Sequence, residues 1–80
     1  MGTTIQITLE AARRNAGYSQ AEAAKRIGVH YQTLAALEKD SSKIGFSEMN
    51  DLSRLYHIPK NNIFFGNRNE FIRLLRSKVN

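Results

Sequence analysis

The chain contains no cysteine, which excludes disulfides and thiolate metal sites. Its two histidines, His30 and His57, stand apart, and two isolated imidazoles do not make a metal centre. No glycine-rich phosphate loop is present either. A covalent catalyst needs a nucleophile with an activating base and an orienting partner, and these residues offer none. An enzyme is therefore not expected, nor is a cofactor or a small-molecule ligand. No apolar run approaches membrane-spanning length, and the N-terminus lacks a charged-then-apolar leader pattern. The expectation is a cytoplasmic protein without a membrane partner. Internal repeats and low-complexity stretches are missing as well.

What is present fits one small domain. Eighty residues lie near the lower limit for an unaided core. The composition, 41% hydrophobic and 24% charged, is that of a globular chain rather than a disordered one. A formal net charge of +5 points toward a polyanionic partner, although mild basicity alone is a weak signal. The excess is spread along the chain, with a local concentration after Gly66 at Arg68, Arg73, Arg76 and Lys78.

The hydrophobic spacing predicts an all-α fold with short connections. Residues 1–7 have no helical pattern and read as an extended N-terminal arm. Thr8 suits the N-cap of a first helix, in which Leu9, Ala12, Arg13 and Ala16 share a face and which Gly17 ends. Ser19 opens a second helix with a capping box to Glu22, and Gly28 stops it. Its apolar positions are small (Ala21, Ala23, Ala24), which allows another helix to approach closely.

A third helix runs from Val29 or His30 to about Lys39 with Leu34 and Leu37 inward, leaving an outer face that carries little charge. Residues 40–45 read as a loop. Ser47 is the expected cap of a fourth helix ending near His57. Pro59 suits the start of a short fifth helix, Lys60 to Phe64, that adds Ile63 and Phe64 to the core. From Asn69 onward the pattern allows a sixth helix, either packed or frayed on the monomer or used as a dimer contact. The expected organisation is an arm at 1–7, a domain at 8–66 and a basic extension at 67–80.

These residues resemble the lambda-repressor-like helix-turn-helix family, the Cro and phage-repressor type. The resemblance rests on Leu9, Ala12, Arg13, the corner Gly17-Tyr18-Ser19-Gln20, Glu22 and Ala24. It continues through Ile27-Gly28-Val29, Leu34, Leu37-Glu38, Leu52 and Ile58, covering most of the chain from about Thr8 to Phe65. It implies a five-helix bundle that binds double-stranded DNA, with the third helix in the major groove and the second across the backbone.

On that resemblance Tyr31, Gln32, Ala35 and Ala36 occupy the base-reading positions. Gln32 is the strongest of them, because its amide donates and accepts together, as adenine N6 and N7 require. Phosphate contacts are implied at Ser19, Gln20, His30, Lys39, Ser42 and Lys43. Arg13 and Glu38 match a pair that ties the first helix to the end of the third. The resemblance also implies a homodimer, joined through residues 57–62 or the tail after Gly66, acting as a transcriptional regulator of the phage or mobile-element repressor kind.

The chain departs from the family at two positions. His30 stands where serine or threonine usually caps the third helix, and Asp40 stands where glycine often follows it. With two alanines on the reading face, these departures leave an alternative open. The scaffold would then bind protein, as an antitoxin or anti-repressor does.

Overall fold

Helix α1 (Leu9–Asn15) begins where the Thr8 hydroxyl accepts the Ala11 amide at 3.1 Å. It ends at Ala16, after which Gly17 adopts φ +83. Ala16 is exposed, since the helix has already ended there, so only Leu9, Ala12 and Arg13 of the expected face are buried. The computed structural model describes residues 5–77. Residues 1–4 of the expected arm and 78–80 of the expected extension lie outside the described residues.

Helix α2 (Gln20–Ile27) carries the expected capping box. The Ser19 hydroxyl accepts from the Glu22 amide at 3.1 Å, and the Glu22 carboxylate accepts from the Ser19 amide at 2.9 Å. Those bonds hold the Glu22 carboxyl below its ordinary pKa. Gly28 ends the helix at φ +77, a left-handed conformation that glycine takes without steric cost. Ala23 and Ala24 are buried, and α2 packs on both α3 (Tyr31–Lys39) and α4 (Phe46–Tyr56). The small side chains permit that double contact.

Leu34, Leu52 and Ile63 are the largest fully buried side chains, and with Leu9, Ala12, Ala23, Ala24 and Tyr56 they form the core. Burying each large aliphatic contributes about 1.5–3 kcal/mol. Leu37 is half-buried at the core's edge.

The second half differs from the sequence reading in three places. Helix α4 is capped by Gly45 rather than Ser47, and Ser47 lies one residue inside it. The Glu48 carboxylate folds back over Gly45, into the space a Cβ there would need. Beyond α4, His57 takes a left-handed φ of 56. The expected fifth helix shrinks to a 3-10 turn at Lys60–Asn62. Ile63 leaves that turn extended and forms a parallel bridge with Ile7, with Ile7 N donating to Asn62 O at 2.9 Å and Phe64 N donating to Ile7 O at 2.8 Å. Pairing with Ile7 satisfies backbone groups that a longer helix would have had to satisfy itself. Residues 5–7 thus run beside residues 62–64, and Asn62 anchors them further by donating to Ile5 O at 2.8 Å.

Helix α5 (Arg68–Ser77) is the helix anticipated after Gly66. Asn67 caps it, accepting from the Glu70 amide at 3.0 Å. Phe71, its one buried residue, stacks on Phe64 with ring centroids 4.4 Å apart. Phe64 therefore serves α5 and is only half-buried, instead of joining the main core. The described residues form five α-helices and one 3-10 turn with no strand longer than a bridge, an all-α bundle.

Candidate nucleic-acid interface

The orientation of α3 is set by two buried charges. Arg13 Nε donates to Glu38 Oε2 at 2.6 Å and Nη2 to Oε1 at 3.2 Å, a bidentate pair with side chains 8% and 1% exposed. Arg13 Nη1 also donates to the Tyr18 carbonyl at 2.9 Å, so one guanidinium joins α1, the α1–α2 corner and α3. The pairing with Glu38 raises the Arg13 pKa above its ordinary value. Gln20 completes the group by donating from Nε2 to Glu38 Oε1 at 2.9 Å. A planar guanidinium meeting both carboxylate oxygens fixes angle as well as distance. The outward face of α3 is therefore held by three polar side chains from three elements.

Next to this group, the Tyr56 hydroxyl is buried without a hydrogen-bond partner. Burial, reinforced by the Glu38 charge, pushes its pKa up.

Two of the expected phosphate-contacting residues at α2 point elsewhere. The Gln20 side chain turns inward to Glu38, which leaves its backbone amide as the part available to an anion. The Ser19 oxygen is occupied by the Glu22 amide, and the Glu22 carboxylate brings a negative charge to that helix start. The start of α3 is different. His30 has the N-cap conformation, φ −73 and ψ 149, but makes no side-chain cap bond. Helix starts leave amides without intrahelical partners, and here no side chain covers them.

On α3 the buried residues are Leu34 and Glu38. The opposite face presents Gln32, Thr33, Ala36 and Lys39, all exposed. Tyr31 is 55% exposed on the flank, and Ala35, one turn further along the same flank, is half-buried. Of the four expected base-reading residues, Gln32 and Ala36 thus lie centrally, and Tyr31 and Ala35 lie to one side. Thr33 was not anticipated. Projecting the sequence on a 3.6-residue wheel with Leu34 and Glu38 inward would have found it.

Asp40 does not take a left-handed turn in place of the usual glycine. It leaves α3 extended at φ −153 and accepts the Ser42 amide at 3.0 Å, which lowers its pKa. Ser42 and Lys43 are exposed on this loop, and Lys39 is exposed at the end of α3. Cations thus stand at both ends of the loop, with one carboxylate between them.

Among the described residues no cluster of histidine and carboxylate side chains could hold a metal ion, and no helix is long and apolar enough to cross a membrane. A family model described as helix-turn-helix matches residues 9–61, from the first residue of α1 into the 3-10 turn. No curated protein matches the chain.

Proposed function

Because the chain belongs to the lambda-repressor-like helix-turn-helix family, we propose that it is a sequence-specific transcriptional regulator of the phage or mobile-element repressor kind. It binds duplex DNA by laying α3 in the major groove. Supporting this reading above all is the Arg13–Glu38–Gln20 group, which holds α3 rigidly while leaving Gln32, Thr33 and Ala36 open to a partner. Gln32 offers the paired donor and acceptor that adenine presents in return. Ala36 offers a thymine methyl only an apolar contact, and Tyr31 reaches a flanking base or phosphate. His30 and the first amides of α3, the Gln20 amide, Lys39, Ser42 and Lys43 meet phosphates, which fix register without reading sequence.

The regulator acts as a homodimer. Helix α5 supports this, since Ile72, Leu74 and Leu75 are 44%, 52% and 47% exposed on a helix with one buried residue. Two copies of a small domain double the surface that one half-site allows. Sedimentation of the chain alone and with Leu75→Glu measures this, and a wild-type monomer at micromolar concentration with and without DNA removes it.

Duplex binding as a function of salt tests the central reading. Contacts to several phosphates predict a steep, linear fall of log affinity with log salt. No binding to any duplex from a random pool at low salt overturns it. The sparse outer face, with Ala35 and Ala36 at two reading positions, favours one second reading, a protein-binding scaffold of the antitoxin or anti-repressor kind. In that case a protein partner co-purifies and duplex binding is absent.

A further inference from the structure

Three polar side chains are buried among the described residues: Arg13, Glu38 and Ser41. The first two hold each other, whereas Ser41, 2% exposed, holds backbone far away in sequence. Gly66 N donates to Ser41 Oγ at 2.8 Å, and Ser41 N donates to Gly66 O at 2.9 Å. The next pair along, Asp40 and Asn67, forms an antiparallel bridge. Asn67 is also the residue that caps α5. Gly66 has no room for a side chain, because a Cβ there would lie 2.7 Å from the Phe64 ring, which stacks on Phe71 of α5. The loop after α3 is thus strapped to the start of α5 through Ser41, and the strap is closed by an aromatic stack within the same segment.

The loop's other bonds are local. Ser42 N donates to Asp40 Oδ1 at 3.0 Å and Ile44 N to Ser41 O at 3.1 Å. These bonds shape the turn but do not fix it against the rest of the molecule. Only the bonds to residues 66–67 do that among those described, and they act on the residue next to Ser42 and two before Lys43.

We propose that Ser41 is a positioning residue for the phosphate contacts of Ser42 and Lys43, and that α5 supports the DNA interface through it without touching DNA. This rests on the DNA-binding reading above. The basic extension then has a role beyond charge, which is to seat the backbone-contacting loop.

The test uses the full chain with Ser41→Ala, Lys43→Ala and the double variant, each checked for folding by circular dichroism. Ser41→Ala should weaken binding to a selected duplex by about tenfold, the size of one lost charge-assisted contact. Its salt slope should be shallower by about 1, as for removal of a phosphate-contacting lysine. Adding Lys43→Ala to Ser41→Ala should then change little. An unchanged slope in Ser41→Ala, or a full Lys43→Ala loss in both backgrounds, overturns the proposal.

Should Ser41→Ala fail to fold, Asn67→Ala, outside the core, carries the same prediction at smaller size. Amide hydrogen exchange separates this idea from the DNA reading. Faster exchange at residues 42–44, with α1 and α2 unchanged, supports the strap even if no duplex binds. Unchanged exchange there overturns it.

Discussion

Helix α3 is held on two sides by different means. Toward α1 and α2 the attachment is made of side chains, with Arg13, Gln20 and Glu38 joined at 2.6–3.2 Å. Toward α5 it is made largely of backbone, with the amide and carbonyl of Gly66 bonded to one serine. A side-chain attachment concentrates its energy in a few residues and fails when one is removed. The attachment at Gly66 rests on one serine and on the register of a backbone segment. The difference puts a network of three side chains behind α3 and a single-serine strap at the loop beside it.

The largest expected effect breaks the side-chain attachment. Arg13→Ala leaves Glu38 buried and unpaired, so urea melts should show a loss of about 3–5 kcal/mol. Arg14→Ala, which removes only a surface pair with Glu10 at 3.1 Å, should cost less than about 0.5 kcal/mol. Equal losses would mean that the buried pair does not hold α3.

Tyr56 sharpens the same side from the opposite direction. Its hydroxyl is buried without a partner next to that pair. Tyr56→Phe removes the orphan group at nearly constant volume and should raise stability by about 1 kcal/mol. A loss of that size would reveal a buried water bridging the hydroxyl.

At the end of α4, backbone conformation carries the burden. His57 sits at φ 56, where a Cβ is strained. His57→Gly should therefore stabilise by about 0.5–1 kcal/mol in thermal melts, and a decrease would mean that the imidazole makes a contact of its own.

The smallest effect is in acid. Glu10 is pushed up by burial, but its bonds to Arg14 and Arg68 outweigh this and leave its pKa lowered. Glu22 is lowered by its bond from the Ser19 backbone. A carboxyl lowered on folding stabilises the native state above its unfolded value and loses that contribution as pH falls through the folded one. These two carboxyls should thus leave stability flat above the ordinary glutamate value of 4.5 and lower it below that. Glu22→Gln should make the decline shallower, and an unchanged acid limb would show that the capping carboxylate contributes nothing.

The two sides also differ in how legible they were in the sequence. Helices α1 and α2 announce themselves, because Thr8, Ser19 with Glu22, Gly17 and Gly28 are side-chain and glycine signals that act within a few residues. The family resemblance pairs Arg13 with Glu38, and Arg13 shares the face of Leu9 and Ala12. That Gln20 turns inward to join the pair was not visible, since its position suits an anion equally well. Ser41, Gly66 and the Ile7–Ile63 bridge give no signal in the sequence, because their partners lie 25 or more residues away. The sequence favours Ser47 over Gly45 as the cap of α4 for a related reason. Serine is the better capping residue in general, and only the folded-back Glu48 shows why the helix starts earlier.

We propose that α3 reads DNA through Gln32. The most direct test selects a duplex from a random pool with the unaltered chain and measures Gln32→Ala on that site and on every single-base variant of it. Loss of about 1–3 kcal/mol at one adenine, with discrimination relaxed there and unchanged elsewhere, is the predicted result. An identical specificity profile for the two proteins would contradict it.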